Sequence, residues 1–563
     1  MIGVGSTLKS GKTGNMDNPI LMVNKKRDAD MKITSLHKRF FKERDCLIYF
    51  LLVLICLFSL KGYGEGANLF SSQSLEVEGR MLSVMPTDLD GKGFAEIVVT
   101  HKTGIYPNEK RWISVFSADT LARYATTPCQ RWEVDPAATL FDVGDIAPSP
   151  GKEILYLTGQ GLRYYHQEAN NLFSSTPHHL LSFPTITVFP AAGSLPRGRL
   201  FADWKRNGRK MLLLPQFHSL MFFERDDSES WQKTDRVAVG SRAFLFSDQV
   251  DDGAFRDFSL HAEFRLPRIF LEDFNGDHLP DLLLTEQETV TVHLHKPDGH
   301  FSPEPTTTVV FPVRPTGKNA EASPSFLSTP VDVNGDEFVD VILTLTKSTG
   351  KFLERRIVIF IFLNQRNPEN PFSPQPDQTI TLDGITPGVN MEDVNGDGRA
   401  DLLLSYIRVG FWNIVKNLIS KQVNLNTSIF LLRSDNRYPM QPDFHRQTSY
   451  QIDLTHGVRF HGTWPTLGGD FTGDGHKDLL IARDEKIAVY PKNMNGDLFS
   501  KPLTQSGVFT SPFMHIVDLD SDDRDDLLFY EKKEGGKIVI HLNTAEWKEK
   551  PSSKNETTSR TEN

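Results

Sequence analysis

Residues 393–405 read DVNGDGRADLLLS, an acidic stretch followed at once by an apolar run. Its acidic and amide side chains stand at positions 1, 3, 5 and 9 of the stretch: Asp393, Asn395, Asp397 and Asp401. Gly398 at position 6 permits a sharp, left-handed turn. A short, continuous apolar run is typical of a strand buried on both faces. The sequence therefore predicts a tight acidic loop that leads into a core strand.

The same pattern recurs along the chain. Complete copies also begin at Asp273, Asp332, Asp470 and Asp518, and a weaker copy begins at Asp88. Two degenerate copies are DVGDIAPSPGKEILYLT from Asp142 and DWKRNGRKMLLLP from Asp203. Self-similarity at a period of roughly 60 residues indicates a repeat architecture.

Each unit contains four short predicted strands. In the unit that begins at Asp273 these are DLLLT (281–285), VTVHLH (290–295), TTTVVF (306–311) and SFLSTPV (325–331). Four strands per unit, repeated around a ring, form a β-propeller. We therefore expect an all-β fold, a β-propeller of about eight four-stranded blades. Seven blades are the alternative, if one degenerate unit is an insertion.

Closure of the ring leaves a trace in the sequence. After KIVIHL (537–542) the chain becomes polar, so the last unit lacks one strand. The segment LFSSQSLEVE (69–78) precedes the first unit and is predicted to complete the last blade. The propeller is thus assigned to residues 68–547, and residues 548–563 are predicted to be a disordered polar tail.

Residues 1–67 are predicted to be an N-terminal extension with a signal peptide. Its apolar core, residues 46–60, is shorter than the roughly 20 residues that a spanning helix needs, and basic residues precede it. The expected location is extracytoplasmic, meaning the periplasm, the cell surface or the medium. A retained N-terminal membrane anchor is the alternative.

The charge balance excludes one class of function. The chain has 62 basic and 72 acidic residues, of which residues 1–67 hold 11 and 6. The remainder therefore has 51 basic and 66 acidic residues, a net charge of −15. A body this acidic repels phosphate backbones, which argues against nucleic-acid binding. With three cysteines, of which only Cys129 lies beyond the N-terminal extension, the propeller has no disulfide framework.

The acidic loops predict calcium sites. Carboxylates held close together repel one another unless a cation lies between them. Calcium takes about six to eight oxygens from carboxylates, amides, backbone carbonyls and water. In the loop at Asp393 we expect the side chains of positions 1, 3, 5 and 9 and the backbone carbonyl of Arg399 as ligands. An EF-hand has glutamate at position 12, where this chain has Leu404, so position 9 is expected to take that role.

Five loops carry this ligand set, and we expect several structural Ca²⁺ ions. The predicted metal ligands are Asp273, Asn275, Asp277 and Asp281; Asp332, Asn334, Asp336 and Asp340; Asp393, Asn395, Asp397 and Asp401; Asp470, Thr472, Asp474 and Asp478; and Asp518, Asp520, Asp522 and Asp526. At Asp88 a site is doubted, because Lys92 stands where an oxygen ligand is needed. No catalytic residue is nominated.

These loops resemble FG-GAP / VCBS repeats, the blades of the propeller head in integrin α-subunits and of many exported bacterial proteins. The resemblance covers roughly residues 80–545, and the five complete loops match the calcium loops of the family position by position. It implies an extracytoplasmic propeller with calcium in its loops. It does not imply one activity, because relatives serve in adhesion and ligand binding and some are enzymes.

Two further features of the sequence, a histidine pair and a predicted helix, each allow two interpretations. His293 and His295 lie two apart on one predicted strand and suit either a transition-metal pair or hydrogen-bonded strand residues, with the second favoured. Residues 411–423 have an apolar stripe at helical spacing. That helix suits a partner or a membrane surface, but a single stripe usually packs on its own domain, which is the favoured interpretation.

The leading functional hypothesis is an exported, calcium-binding propeller that acts as a binding, adhesion or envelope scaffold module. Its expected partner is a protein, a glycan or an envelope component, and membrane contact is expected only through the N-terminal segment or helix 411–423. The alternative is a carbohydrate-active, polysaccharide lyase-like enzyme with a site on one propeller face. A lyase needs a base and a charge-neutralising group that converge on one face.

Overall fold

The computed structural model describes residues 68–105, 107–168, 172–186, 193–240, 242–249, 258–314, 326–349, 353–453, 459–493 and 497–545. The predicted signal peptide and the predicted polar tail lie outside these residues, so both stay predictions. The described chain consists of short strands and one α-helix.

The strands are short because turn residues interrupt the apolar runs at regular intervals. In chain order the elements are β1 (Phe70–Glu76), β2 (Arg80–Thr87), β3 (Glu96–Thr103), β4 (Lys110–Phe116), β5 (Gln130–Glu133), β6 (Leu140–Gly144), β7 (Glu153–Thr158), β8 (Gly161–Tyr165), β9 (His178–Ser182), β10 (Phe201–Ala202), β11 (Met211–Gln216), β12 (Ser219–Arg225), β13 (Trp231–Ala238), β14 (Arg242–Gln249), β15 (Phe258–Arg265), β16 (Arg268–Glu272), β17 (Asp281–Glu286), β18 (Thr289–His293), β19 (Thr307–Val310), β20 (Phe326–Val331), β21 (Asp340–Ser348), β22 (Arg355–Phe362), β23 (Gln378–Asp383), β24 (Val389–Glu392), β25 (Asp401–Ile407), α1 (Phe411–Ser420), β26 (Gln422–Phe430), β27 (Phe444–Asp453), β28 (Arg459–Phe460), β29 (Thr466–Gly469), β30 (Asp478–Arg483), β31 (Lys486–Tyr490), β32 (Leu503–Ser506), β33 (Phe513–Val517), β34 (Asp526–Tyr530) and β35 (Lys537–Asn543).

These strands form eight antiparallel blades arranged in a ring, which confirms an eight-bladed β-propeller rather than a seven-bladed one. Blades 1 to 3 are β2–β5, β6–β9 and β10–β13, and blades 4 and 5 are β16–β19 and β20–β23. Blade 6 is β24–β27 with the short β28 added at its edge, and blade 7 is β29–β32. A separate hairpin, β14–β15, lies in the chain between blades 3 and 4.

Blade 8 contains the closure that the sequence predicts. Its order is β33, β34, β35 and then β1, so the first described strand is the outermost strand of the last blade. The antiparallel register joins Phe70 to Asn543 and Glu76 to Lys537. The two ends of the repeat array are therefore held together in one sheet.

The hydrophobic core is divided among the junctions of the ring. A cluster of buried apolar side chains lies between each pair of consecutive blades of the described chain. At the junction of blades 8 and 1, for example, Leu528 and Ile540 pack with Ile97 and Val99. The second strand of each blade is covered on both sides, which explains its continuous apolar sequence.

Antiparallel strands place the connections alternately at the two ends of a blade. Loops between the first and second strands, which are the acidic loops, lie on one face of the ring, here named the acidic-loop face. Hairpins between the second and third strands, and connections from blade to blade, lie on the opposite face, here named the insertion face. Hairpin β14–β15 and α1 both belong to the insertion face, since they interrupt connections of that kind.

Helix α1 confirms the predicted helix, but the expectation that its stripe packs on its own blade is wrong. None of its residues is buried. The apolar cluster at this end of blade 6 is made by strand residues such as Ile407, Val423 and Tyr450, with Trp464 packed against it. Within the described residues, no helix combines the length and the apolar character needed to cross a membrane.

Candidate metal centres

The first aspartate of each complete loop holds the turn by accepting backbone N–H groups. In the loop of blade 6, Asp393 Oδ1 accepts the N–H of Gly396 at 2.6 Å, and Oδ2 accepts the N–H of Gly398 at 2.9 Å. Both glycines have left-handed backbone, with φ of 82° and 81°. The same two bonds form in the other four complete loops. They curl the chain so that positions 1, 3 and 5 share one concave side.

Positions 3 and 5 add oxygens to that concave side. Asn395 Oδ1 accepts the N–H of Asp397 at 3.0 Å, and Asp397 Oδ1 accepts the N–H of Arg399 at 3.0 Å. The Arg399 guanidinium also pairs with Asp397 Oδ2 at 2.6 Å. These bonds fix the side chains in place, and each acceptor oxygen retains a second lone pair.

The aspartate at position 9 is a buried structural anchor. In each of blades 4 to 8 this aspartate is the first residue of the second strand. One of its carboxylate oxygens accepts the backbone N–H of position 2 in the same loop at 2.9–3.0 Å. The other oxygen accepts an N–H near the end of the third strand at 2.6–3.0 Å. The five anchors are Asp281, Asp340, Asp401, Asp478 and Asp526. Each one ties its loop to two strands of its blade.

These buried carboxylates are electrostatically costly without a cation. Burial raises the pKa of Asp281 to about 7, the two N–H bonds oppose the change, and the charges of Asp277 and Asp273 raise it further. The same causes raise the pKa of Asp340, Asp478 and Asp526 to about 7, and that of Asp401 in the same direction. Without a cation, each anchor is therefore harder to ionise than an ordinary aspartate.

Blade 8 offers the clearest test of whether the donor set fits a metal. Oxygens of Asp518, Asp520 and Asp522 lie within 4.8 Å of one another. Asp520 Oδ1 is buried and has no hydrogen-bond partner among the described residues. An unpartnered buried oxygen between two other carboxylates is what a hard, oxygen-binding cation satisfies. The all-oxygen donor set fits calcium, which would contribute positive charge at the centre of the loop.

In blade 1 the corresponding loop contains its own cation. Oxygens of Asp88, Asp90 and Glu96 lie within 4.8 Å of one another, but Lys92 Nζ lies 2.5 Å from Asp90 Oδ2. Glu96 takes the role of the position-9 aspartate, since its Oε2 accepts the N–H of Leu89 at 2.7 Å. Lys92 therefore pairs with one of the three clustered carboxylates, and the doubt about a metal site in this loop stays a prediction.

The loop of blade 2 begins three residues later than the sequence pattern indicates. Its second strand starts at Glu153, which accepts the N–H of Ile146 at 2.8 Å, so position 1 is Asp145 and not Asp142. Asp142 lies on β6 and accepts the N–H of Leu200 at 2.8 Å. Glu153 at the start of an apolar strand was the available signal for the correct register.

Blade 3 uses a buried lysine that the sequence pattern does not identify. Lys205 stands at position 3 of the loop, and its Nζ lies 2.9 Å from both Glu224 Oε1 and Asp235 Oδ2. Asp235 also contacts His300 Nδ1 at 2.9 Å. At position 9 there is a buried apolar residue, Met211. This loop therefore keeps oxygen side chains at position 1 (Asp203) and position 5 (Asn207) but lacks the position-3 oxygen and the anchor of the complete loops.

Neighbouring loops are joined directly around the acidic-loop face. The N–H of position 8 in one loop donates to a backbone carbonyl at position 1 or 2 in the loop of the preceding blade, and one such bond joins blade 1 to blade 8. The bonds are Lys152 to Leu89, Val339 to Asp273, Ala400 to Val333, Asp525 to Asp470 and Ala95 to Leu519, at 2.7–3.0 Å. The geometry of one loop is thus coupled to that of the next.

Two other candidate sites, a histidine pair and two cavities, do not show the arrangement of groups that a reactive site needs. His293 and His295 are buried, and His293 Nδ1 lies 2.8 Å from the carbonyl of Ser302, which supports the structural interpretation of this pair. A cavity of about 590 Å³ between blades 1 and 2 and one of about 440 Å³ between blades 3 and 4 are lined mainly by acidic and apolar groups. Neither of these two cavities brings together the basic and tyrosine side chains expected of a lyase.

Comparison with known proteins identifies the repeat. A family model described as FG-GAP-like repeat matches residues 273–343, 332–404 and 470–529. No curated protein matches significantly. Similar solved structures include a lectin of Agrocybe aegerita that recognises non-reducing terminal N-acetylglucosamine, at 14% identity and a TM-score of 0.34, covering 83% of this chain and 96% of that one. A protein from Lactobacillus plantarum has 10% identity and a TM-score of 0.27, covering 77% and 97%. The V. cholerae biofilm matrix protein Bap1 has 11% identity and a TM-score of 0.27, covering 84% and 89%.

The fold and the loops together define an eight-bladed β-propeller with acidic inter-strand loops. The matched segments begin or end at the loops of blades 4 to 8, where the anchors and the carboxylates are complete. The chain is an eight-bladed β-propeller that contains FG-GAP-like repeats.

Proposed function

We propose that this chain is an exported propeller whose five complete loops bind structural calcium ions, and that its insertion face binds a protein, a glycan or an envelope component. Each loop would supply side-chain oxygens from positions 1, 3, 5 and 9 and a backbone carbonyl from position 7. The observation that carries the metal part is the cluster in blade 8, where Asp520 Oδ1 is buried without a hydrogen-bond partner.

Calcium bound in these loops would stabilise the ring as well as the single blade. A cation that binds only the folded state adds stability through linkage. Because position 8 of one loop donates to the preceding loop, an ion at Asp393 also supports the contact between blades 6 and 5. The metal is assigned a structural role, since the loops lie within a repeated element and the same carboxylates also hold the turns and strands of each blade.

The proposed binding surface follows from the difference between the two faces. The acidic loops of blades 4 to 8 are short and nearly identical, which suits a scaffold. The insertion face carries the segments that do not repeat, namely hairpin β14–β15 and α1. Recognition is usually carried by such variable connections on a rigid scaffold.

Export is supported by the apolar core at residues 46–60 and the basic residues before it. It is also consistent with calcium sites built on exposed loops, since extracellular modules bind calcium with dissociation constants of about 10⁻⁴–10⁻³ M. Such weak sites would fill outside the cytoplasm, where calcium is abundant.

The binding proposal is tested by removing an insertion-face segment. The full chain and a variant with residues 243–264 replaced by a short turn are compared on a glycan array and by cross-linking to an envelope fraction. Met440→Ser, an exposed residue of the third-to-fourth strand connection of blade 6, is the control on the acidic-loop face. We expect the variant to lose binding with an unchanged melting midpoint, and the control to retain it. Equal binding by all three proteins would contradict the assignment of the insertion face.

A further inference from the structure

Helix α1 exposes four of its six apolar side chains, and the other two, Ile414 and Val415, are only half-buried. Phe411, Trp412, Leu418 and Ile419 are 48%, 78%, 51% and 80% exposed. A helix on a globular protein normally turns such a stripe toward the core. Large apolar side chains that remain exposed in one short segment indicate a contact that the chain makes with something else.

The charge around α1 differs from that of the rest of the propeller. From Arg408 to Gln422 the chain has three basic residues, Arg408, Lys416 and Lys421, and no acidic one. Residues 68–563 together carry a net charge of −15. Glu354 of blade 5 lies beside Gly410 at the base of the segment and accepts a hydrogen bond from Thr349. The exposed apolar side chains of α1 therefore lie in a segment of local positive charge.

The basic and apolar side chains are arranged along the same helix. Trp412, Lys416 and Ile419 are four and three residues apart, so they follow one side of α1. The remaining polar residues, Asn413, Asn417 and Ser420, form a polar arc that adjoins Lys416 and lies away from Phe411 and Leu418. An amphipathic helix with Trp and Phe on one face and lysine at its border is the arrangement that lies in the interface of a bilayer.

We propose that α1 docks the insertion face onto an anionic lipid bilayer. Phe411, Trp412, Leu418 and Ile419 would enter the boundary between headgroups and acyl chains. Lys416, Lys421 and Arg408 would lie near the lipid phosphates. With 10 residues the helix is too short to span a bilayer, so it lies parallel to the surface. This inference stands apart from the calcium proposal, because α1 contains no residue of an acidic loop.

The local charge favours a lipid surface over a second copy of this chain. A second copy has a net negative body and the same basic segment, so stacking two α1 helices would bring like charges together. An anionic bilayer offers both a negative surface and an apolar interior, which matches the two kinds of side chain on α1. Each basic residue near such a surface adds to the attraction for anionic lipid.

The test uses the full chain and vesicles of phosphatidylcholine with or without phosphatidylglycerol. We expect flotation with the phosphatidylglycerol vesicles, and at least a tenfold loss of binding in the double variant Trp412→Ser/Ile419→Ser. Lys416→Glu/Lys421→Glu should remove the dependence on phosphatidylglycerol. Met440→Ser, 87% exposed on the other face of the same blade, is the matched control and should bind like the parent.

A second readout separates α1 from the N-terminal apolar segment. With brominated phospholipid in the vesicles, tryptophan emission should be quenched in the parent, and Trp412→Phe should lose most of that quenching while still floating. Quenching that is identical in the parent and Trp412→Phe would overturn the proposal, because α1 would then not enter the bilayer. Self-association that depends on Trp412, without vesicle binding, would overturn it in favour of a second copy.

Discussion

The loops of blades 4 to 8 and those of blades 1 to 3 occupy the same place in the ring but balance their charges differently. The complete loops each end on a buried aspartate and carry at least two further carboxylates. In blade 1 the ammonium of Lys92 contacts Asp90, and in blade 3 that of Lys205 contacts Glu224 and Asp235. In blade 2, positions 3 to 6 are Ala-Pro-Ser-Pro, with no acidic residue among them.

The difference shows that the blade and the metal site are separable. Blade 3 forms a four-stranded sheet with Met211 where the complete loops have their anchor. What every loop requires is a partner for its backbone N–H groups and a counter-charge for its carboxylates. A lysine supplies counter-charge in blades 1 and 3. In blades 5, 6 and 8 an arginine pairs with the position-5 aspartate, and we propose that calcium balances the remaining carboxylate charge of the five complete loops.

The largest expected effect comes from removing an anchor. Asp401→Ala leaves the buried N–H groups of Val394 and Leu432 without acceptors, at a cost of about 1–3 kcal/mol each. We expect the free energy of unfolding in urea, measured with chelator present, to fall by about 4 kcal/mol. Asp435→Ala, an exposed aspartate of the same blade, should change it by less than about 1 kcal/mol. A similar loss in both variants would mean that the anchor bonds are not what stabilises the blade.

Removal of the internal cation of blade 3 should have a slightly smaller effect. Lys205→Met leaves Asp235 buried without its ammonium partner, which destabilises proteins by about 3–5 kcal/mol when no other group compensates. His300 remains beside Asp235, so we expect about 3 kcal/mol by urea unfolding. The loss should be equal in calcium and in chelator. A loss that calcium reverses would place a metal in blade 3 and contradict the comparison.

The comparison is tested most sharply by converting the lysine-containing loop of blade 1 into an acidic loop like those of blades 4 to 8. Lys92→Asp gives blade 1 acidic residues at positions 1, 3 and 5 and removes the ion pair with Asp90. Without calcium we expect a small destabilisation from the added repulsion among the carboxylates. With calcium at about 100 times the dissociation constant, binding should restore roughly 2.7 kcal/mol. The measurement is unfolding in urea with calcium or chelator.

The control for that conversion is Lys110→Asp, which removes the exposed ion pair with Glu133 in the same blade. It should lose stability equally in calcium and in chelator. If Lys92→Asp behaves like this control, the position-5 residue does not decide whether a loop binds metal.

The smallest effect concerns the backbone at position 6. His278 in blade 4 has left-handed backbone with φ of 63°, where blade 6 has Gly398. His278→Gly relieves that strain, although glycine loses more entropy on folding, so we expect a gain of at most about 1 kcal/mol by urea unfolding. His218→Gly, at a left-handed position in a hairpin turn with φ of 63°, is the matched control. A clear loss of stability in His278→Gly would show that the histidine side chain has a role of its own.

Much of the fold could be predicted from the sequence because the same pattern of acidic loop and apolar strand recurs along the chain. The loop at Asp393 identifies the first turn and the second strand of a blade, and the missing strand after KIVIHL predicts the closure by β1. The register of blade 2 was predicted wrongly, because Asp142 resembles a first position while the decisive signal is Glu153. Hairpin β14–β15 was not predicted, since nothing in the repeat calls for it.

The candidate sites were predictable in part. Positions 1, 3, 5 and 9 follow from the spacing, but one of the two N–H bonds at Asp401, that from Leu432, depends on the third strand, which ends about 30 residues further along the chain. Lys205 could not be recognised because its partners, Glu224 and Asp235, lie on other strands. The exposure of Trp412 depends on whether the blade already has a complete core, which a local pattern does not report.

The most direct test of the account is the number of calcium ions bound by the intact chain. Native mass spectrometry or equilibrium dialysis against calcium should give five ions per chain, one for each complete loop. Asp397→Lys should reduce the count to four, and Lys92→Asp should raise it to six. A chain that binds no calcium, or whose count does not respond to these two substitutions, would contradict the proposal that calcium balances the charges of blades 4 to 8.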